Sequence, residues 1–173
     1  SILVAAGGGK WWIVVYTTVN RPFGRTGAMF YGEYEHSLDG KGRLILPARF
    51  RDVAKENSIE KFYVTRGLER CIFMFSEFEW RLIEQKLKTL SFTKESSRMF
   101  NRLFFSGAVE VLPDKQGRFI MPQYLKDFAN IKDQTVLIGV SNRIEIWDKV
   151  TWQEFFSKSS QSFEQTAEHL FDL

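Results

Sequence analysis

The sequence contains only one cysteine, two histidines and four prolines. The scarcity of cysteine and histidine excludes whole classes of protein. With Cys71 alone, no internal disulfide framework can form, and such a composition is typical of a reducing cytosol. His36 and His169 lie far apart, so their spacing assembles no zinc site. The fold must therefore rest on apolar packing, for which a hydrophobic content of 44% is ample.

A long hydrophobic run is also missing. The apolar run at residues 11–19 is nine residues long, whereas a bilayer-spanning helix needs about 20, and no signal-peptide cleavage motif follows it. The run belongs to residues 1–28, which contain a Gly-Gly-Gly stretch and no acidic residue. We expect residues 1–28 to be a non-native or disordered extension; a weak additional strand is the alternative.

Net charge is scarce outside that extension. The formal charge of +3 comes from Lys10, Arg21 and Arg25, which leaves 21 basic and 21 acidic residues in 29–173. A sequence pI near 9.0 therefore says little about nucleic-acid binding. Any anion-binding surface must come from local clustering of cations.

What the sequence does contain is a sixteen-residue segment that occurs twice. Residues 32–47 read GEYEHSLDGKGRLILP, and residues 107–122 read GAVEVLPDKQGRFIMP. At a constant offset of 75 positions, seven of the sixteen residues are identical without a gap. An internal repeat of this kind predicts a duplicated module, and it directs attention to the turn that both copies share.

Each copy predicts a strand, a tight turn and a returning strand. The alternating pattern of residues 31–36 favours a strand, and Asp39 with Gly42 is typical of a turn with a bulge that would fold this strand into a hairpin with residues 43–46. The same signals recur in 107–122. We therefore predict one β-hairpin in each repeat.

The remaining chain completes two modules without a long linker, so we expect them to pack as one body. The predicted organisation is a first repeat at 33–75, a helical connector at 76–103, a second repeat at 104–147 and C-terminal helices at 148–173. A helix is predicted over 94–105, and its inward face should carry Met99, Phe100, Leu103 and Phe104.

The repeated turn carries the strongest functional signal, because cations on a rigid turn project outward and suit phosphate contacts, and arginine offers a bidentate fork to guanine. The candidate DNA-contacting residues are Lys41, Arg43, Arg49, Arg51, Lys115 and Arg118. The candidate loop-orienting residues are Asp39, Gly42, Asp114 and Gly117. Lys126 lies in the predicted second helix. These positions predict a DNA-binding surface.

The same turn also has a purely structural explanation, in which Asp makes the turn, Gly forms the bulge and Arg pairs with Asp. Both explanations hold together if the aspartate orients an arginine that also touches DNA. Catalysis finds no support, since Cys71 lies in an apolar run with no nearby histidine and no phosphate-cradling glycine loop follows a strand. We predict no enzyme activity, no cofactor and no metal.

The sequence resembles the MraZ family of bacterial proteins, which is linked to the division and cell-wall gene cluster. The segments that carry the resemblance are YGEYEHSLDGKGRLILPARFR, RLFFSGAVEVLPDKQGRFIMP and VLIGVSNRIEIW, between about Met29 and Trp152. The resemblance implies an α+β fold of tandem SpoVT-AbrB-type modules, in which swapped hairpins form a small β-barrel with flanking helices. The two repeats would supply both halves of this pseudo-dimer.

The resemblance further implies sequence-specific binding to direct repeats upstream of the protein's own operon, together with ring-like homo-oligomers. The family's DNA-contacting motif carries over to Asp39, Lys41, Arg43, Asp114, Lys115 and Arg118. Pro113 stands where the first repeat has Leu38, which predicts a shorter and differently presented second hairpin.

We therefore expect a cytoplasmic, nucleoid-associated transcriptional regulator whose partners are double-stranded DNA and further copies of itself, with no membrane association. A non-enzymatic, ring-forming assembly protein without specific DNA binding is the alternative. An enzyme, such as a methyltransferase, is the least favoured class.

Overall fold

The computed structural model describes residues 4–7, 10–13 and 27–171. The elements in chain order are β1 (Val4–Gly7), β2 (Lys10–Ile13), β3 (Phe30–Ser37), β4 (Arg43–Ile45), α1 (Ala48–Glu56), β5 (Phe62–Arg66), β6 (Ile72–Ser76), α2 (Glu77–Lys88), α3 (Glu95–Ser106), β7 (Val109–Val111), β8 (Arg118–Ile120), α4 (Gln123–Phe128), β9 (Gln134–Ser141), β10 (Arg143–Asp148), α5 (Lys149–Ser160) and α6 (Phe163–Phe171). The predicted α+β class is confirmed.

Much of the predicted N-terminal extension falls outside the described residues. Within residues 1–28, β1 and β2 pair as an antiparallel two-stranded ribbon. Residues 1–3, 8–9 and 14–26, on which the rest of that prediction rests, lie outside the described part of the chain.

Six strands form one antiparallel sheet whose order reflects the duplication. The order is β3-β9-β10-β6-β5-β7. Exchanging each strand for its counterpart in the other repeat (β3 for β7, β5 for β9, β6 for β10) reverses this order onto itself. The sheet therefore has an approximate two-fold axis between its two central strands, β10 and β6, and the repeats together build one body.

The strand pairing corrects the prediction of a local hairpin in each repeat. β3 and β4 do not pair with each other. β3 pairs with β9 along its whole length, from Phe30 opposite Ser141 to Ser37 opposite Gln134, whereas β4 pairs with β8. The local sequence specifies the turn, but the choice of partner strand is set by which pairing buries the apolar faces. Strands are thus exchanged between the repeats, as the resemblance implied.

The β4–β8 ribbon lies on the same pseudo-two-fold axis. Its central pair is Leu44 opposite Phe119, two residues separated by the repeat offset of 75. Both side chains are buried in the main core. Because side chains alternate between the two faces of a ribbon, the flanking residues all point to the opposite, outer face. Those residues are Arg43, Ile45, Arg118 and Ile120.

A second, smaller core lies around Trp80 on α2. Ser76 caps the N-terminus of α2, since the Glu79 backbone N–H donates to the Ser76 hydroxyl at 3.3 Å. The Trp80 ring stacks between Tyr63, at a centroid distance of 5.1 Å, and Phe104, at 5.6 Å. These contacts dock α2 and α3 against β5 and β6.

The predicted inward face of α3 is largely wrong. Only Phe104 is buried, whereas Met99 and Leu103 are more than half exposed and Phe100 is just over a third exposed. The reason is that only the last turn of α3 is held against β5. There the Thr65 hydroxyl donates to the Phe104 carbonyl, and Arg66 donates to the Leu103 carbonyl at 2.9 Å. No helix in the described residues is long and apolar enough to cross a membrane.

The alternation along β4 and β8 makes a stability prediction. Leu44→Ala should lower the free energy of unfolding by about 2–5 kcal/mol, because it opens a cavity in the core. Ile120→Ala, on the outer face of the same ribbon, should cost less than about 1 kcal/mol. Chemical denaturation of the two variants followed by circular dichroism measures the difference. Equal losses would contradict the assigned faces.

Candidate functional site

The first repeated turn is closed twice, once by its backbone and once by a side chain. The Asp39 N–H donates to the Arg43 carbonyl at 2.9 Å, and the Gly42 N–H donates to the Asp39 carbonyl at 2.8 Å. Asp39 Oδ1 also accepts from the backbone N–H groups of Lys41, at 2.9 Å, and Arg43, at 3.0 Å. Gly42 has a φ of 70°, a conformation that favours glycine.

The second oxygen of Asp39 holds the arginine. Oδ2 accepts from Arg43 Nε at 2.7 Å and lies 2.6 Å from Nη2, so one carboxylate oxygen meets two nitrogens of the guanidinium in a charge-assisted contact. The hydrogen bond from the Arg43 side chain is the main reason that the pKa of Asp39 falls to about 2. Among the described residues, Nη1 of Arg43 makes no hydrogen bond, so the outer edge of the guanidinium keeps N–H donors for a ligand.

The second turn reproduces this geometry. Asp114 Oδ1 accepts from the N–H groups of Gln116 and Arg118, both at 2.9 Å, and Oδ2 accepts from Arg118 Nε at 2.8 Å and pairs with Nη2 at 2.7 Å. Hydrogen bonds from the backbone and then the side chain of Arg118 lower the pKa of Asp114 to about 2. Gly117 has a φ of 80°. Corresponding distances in the two turns differ by no more than 0.1 Å.

The strand before the second turn is shorter than its counterpart, but the turn is unchanged. β7 ends two residues before Pro113 and has three residues where β3 has eight. The turn that follows Pro113 has the same hydrogen bonds as the first. The predicted difference in presentation is therefore not found at the turn itself.

A cation on the helix of the other repeat lies beside each turn. Arg51 on α1 donates from Nη1 to the Gln116 carbonyl at 2.8 Å, and its Cδ lies 2.3 Å from where a Cβ on Gly117 would stand. Lys126 on α4, which is 75 positions further along the chain, places Nζ 3.2 Å from the corresponding point on Gly42. Arg51 thus helps to position the second turn, and it also lowers the pKa of His36, after the larger effect of burial.

Two of the predicted cations, Arg43 and Arg118, share one surface. The outer face of the β4–β8 ribbon carries Arg43 and Arg118 diagonally opposite each other, with Cα atoms about 8 Å apart for standard strand geometry. Lys41 and Lys115 are exposed at the turn centres, and neither ammonium group forms an ion pair within the described ranges. Arg49 is exposed on α1, outside the ribbon.

Sequence inspection missed two contributors to this surface. Ile45 and Ile120 share the outer face with the arginines. Lys126, which the sequence placed in the second helix, lies beside the first turn. The repeat offset of 75 could have paired Lys126 with Arg51. The two isoleucines could be placed only once the partner of each strand was known.

The described residues offer little for metal or thiol chemistry. No group of three or more His, Cys, Asp or Glu side chains in these ranges could hold a metal ion. Cys71 is fully buried, and burial raises the pKa of its thiol strongly. The thiol therefore stays protonated and unreactive near neutral pH.

Comparison with known families gives a match that covers both repeats. The model of a family described as "MraZ protein, putative antitoxin-like" matches residues 29–103 and again residues 104–173. Each match contains one Asp-x-x-x-Arg turn and the elements that follow it. The boundary between the matches falls inside α3, so the two matches divide the chain into its two repeats.

Substitution of the turn glycines should destabilise the fold to different degrees. Alanine at a positive φ costs about 1–2 kcal/mol, so Gly42→Ala should lower the free energy of unfolding by about that amount. Gly117→Ala should cost more, because the new Cβ displaces the Arg51 side chain. Gly40→Ala is the control, since nothing lies within 4 Å of its Cβ position and no cost above about 0.5 kcal/mol is expected. Urea denaturation should show the largest loss of stability for Gly117→Ala, a smaller loss for Gly42→Ala and the smallest for Gly40→Ala. Equal losses for the three variants would refute this ranking.

The two depressed aspartate pKa values predict a specific pH dependence. A carboxyl group with a folded pKa below its unfolded value stabilises the fold above the unfolded pKa, and this contribution disappears as pH falls through the folded pKa. The turns should therefore lose stability between about pH 4 and pH 2. NMR titration of the side-chain carboxyls should place both midpoints near 2.

The Arg43→Ala variant provides an internal control for this titration. It should return the pKa of Asp39 towards the ordinary range while Asp114 keeps its low value. If Asp39 titrates in its ordinary range in the wild-type protein, the Asp39–Arg43 ion pair does not exist in solution.

Proposed function

The chain belongs to the MraZ family, and from this premise we propose that it is a sequence-specific DNA-binding transcriptional regulator acting on repeats upstream of its own division and cell-wall operon. Family membership supports a regulator-type role. One observation carries the finer proposal: two arginines, each held by its own aspartate in the same geometry, share the outer face of one β-ribbon.

The chemistry of this ribbon suits the DNA major groove. The groove is wide enough to admit a two-stranded β-ribbon, and a guanidinium fixed along one edge can present its other edge to guanine with little loss of side-chain entropy. The exposed ammonium groups of Lys41 and Lys115 would contact the flanking phosphates. Arg49 would add a phosphate contact from α1, whereas Arg51 would act by holding the second turn in place.

The organisation of the chain supports the same proposal. Residues 33–75 and 104–147 would act as two AbrB-like repeats that present one pseudo-symmetric DNA-binding face. The helical segments 76–103 and 148–173 would serve contacts between subunits. We infer no enzyme activity, since the family is of the regulatory type.

Oligomer formation would compensate for weak binding by one subunit. Residues 29–173 carry equal numbers of basic and acidic residues, so long-range attraction to DNA is small. A ring-like homo-oligomer presenting several ribbons to repeated sites would gain affinity through effective concentration. In the cell such a protein would be cytoplasmic and associated with the nucleoid.

A ring-forming assembly protein without specific DNA binding is the second candidate, and one observation favours it. Several large apolar side chains are more than half exposed on the helices outside the main core, which is typical of surfaces that meet other chains. They are Met99, Leu103, Phe156, Phe163 and Leu170. This assembly function is also compatible with DNA binding.

Fluorescence anisotropy tests the DNA-binding proposal. The protein would be titrated into a duplex carrying its own upstream region and into a scrambled duplex, over a series of salt concentrations. Arg43→Ala and Arg118→Ala should each weaken binding to the native duplex by about 1–3 kcal/mol. The two losses should be similar, because the turn geometries agree. Lys41→Ala should lower the salt slope by about one unit.

Lys86→Ala is the matched control, since Lys86 is an exposed cation on α2, away from the ribbon, and should leave binding unchanged. Equal affinity of the wild type for native and scrambled duplexes would refute specific recognition. Stable rings together with that result would favour the assembly protein.

A further inference from the structure

The outer face of the β4–β8 ribbon is not uniformly cationic. Ile120 lies directly opposite Arg43 in the strand register and two residues after Arg118, and it is 67% exposed. A single exposed apolar residue is ordinary on a protein surface. This one, however, lies within about 5–7 Å of both aspartate-held arginines, by standard sheet spacings.

We propose that Ile120 is a specificity-determining residue that contacts the C5-methyl group of a thymine next to the bases read by the arginines. This inference rests on the proposed DNA-binding function and assigns a base preference to its central surface. The major groove presents one apolar feature to a protein, the thymine methyl, and apolar side chains recognise it by contact. Isoleucine has no donor or acceptor, so base readout by this residue must use that methyl group.

The spacing of the ribbon agrees with this assignment. Two residues along a strand advance about 7 Å, which is close to two base-pair steps of about 3.4 Å each. A guanidinium and an isoleucine so spaced can address bases one or two steps apart. The charge of the surrounding arginines and lysines complements the phosphates on either side of the groove.

The repeat provides a matched comparison within the same chain. Ile45 is the counterpart of Ile120 and faces the same side of the ribbon, opposite Arg118. Unlike Ile120, Ile45 is partly buried. The apolar contact should therefore come mainly from the second repeat, and Ile45→Ala should affect base preference less than Ile120→Ala does.

Replacing thymine by deoxyuridine tests the proposal, because it removes the methyl group and keeps base pairing. Each thymine of the native upstream duplex would be replaced in turn, and binding of the full chain followed by anisotropy. The wild type should bind about threefold to tenfold more weakly at one or two positions, as expected for one buried methyl group. Ile120→Ala should bind the thymine and deoxyuridine duplexes equally at those positions.

Three controls separate this inference from the function on which it rests. Ile120→Val should keep the preference for thymine, and Lys115→Ala should weaken binding to both duplexes while keeping their ratio. Circular dichroism should show Ile120→Ala folded, since the side chain lies outside the core.

Specific binding of the native duplex without any deoxyuridine effect would overturn the assignment of Ile120 alone. So would an Ile120→Ala variant that keeps the thymine preference, or one that changes only the oligomeric state in sedimentation velocity, which would place the residue between copies of the chain. Equal binding of native and scrambled duplexes would overturn the proposed function together with this inference.

Discussion

The antiparallel pairing of β4 with β8 is the constraint on which the rest of the structure depends. Leu44 opposite Phe119 places a residue of each repeat on the pseudo-two-fold axis and buries both in the core. Because side chains alternate, this one pair forces Arg43 and Arg118 onto the same outer face. A local hairpin in each repeat would have left the two arginines on separate elements. The exchange of strands therefore builds the core and gathers the candidate site at the same time.

In the Asp-x-x-x-Arg turn, a structural role and the proposed DNA contact are compatible, since they would use different atoms. Asp39 accepts two backbone N–H groups through one oxygen and the Arg43 side chain through the other. The carboxylate thus uses up one edge of the guanidinium and immobilises it. The opposite edge remains available for a ligand, and the entropy of fixing a long side chain has already been lost during folding. A structural ion pair and a preorganised contact are consequently the same arrangement.

A feature could be predicted from the sequence when the residues that determine it lie close together in the chain. The turns depend on local chemistry and required only Asp39, Gly42 and their counterparts. The duplicated segment was visible as seven identities in sixteen positions, and the α+β class was implied by the family resemblance. The partner strand of β4 lies 73–77 positions further along the chain, so local sequence did not specify it and its pairing was predicted wrongly. The same limit applies to α3, whose apolar periodicity indicated Met99 and Leu103 as core residues although only Phe104 reaches β5 and Trp80. The contact of Arg51 with Gly117 and the position of Ile120 on the outer face also depend on elements that are distant in the chain.

Duplication within one chain allows the two halves of the site to differ, which a symmetric dimer of single repeats does not. The turns have kept the same hydrogen bonds, but their sequences and surroundings have diverged. The middle of the first turn is Gly40-Lys41, and the middle of the second is Lys115-Gln116. The strand before the second turn, β7, is also shorter than β3. Ile120 is exposed where Ile45 is partly covered. A two-fold symmetric protein is matched by palindromic DNA. An asymmetric ribbon distinguishes the two directions along a duplex, and copies of it arranged in one orientation are matched by direct repeats. The divergence of the two halves thus supplies a physical reason for a regulator of this architecture to act on sites repeated in the same direction.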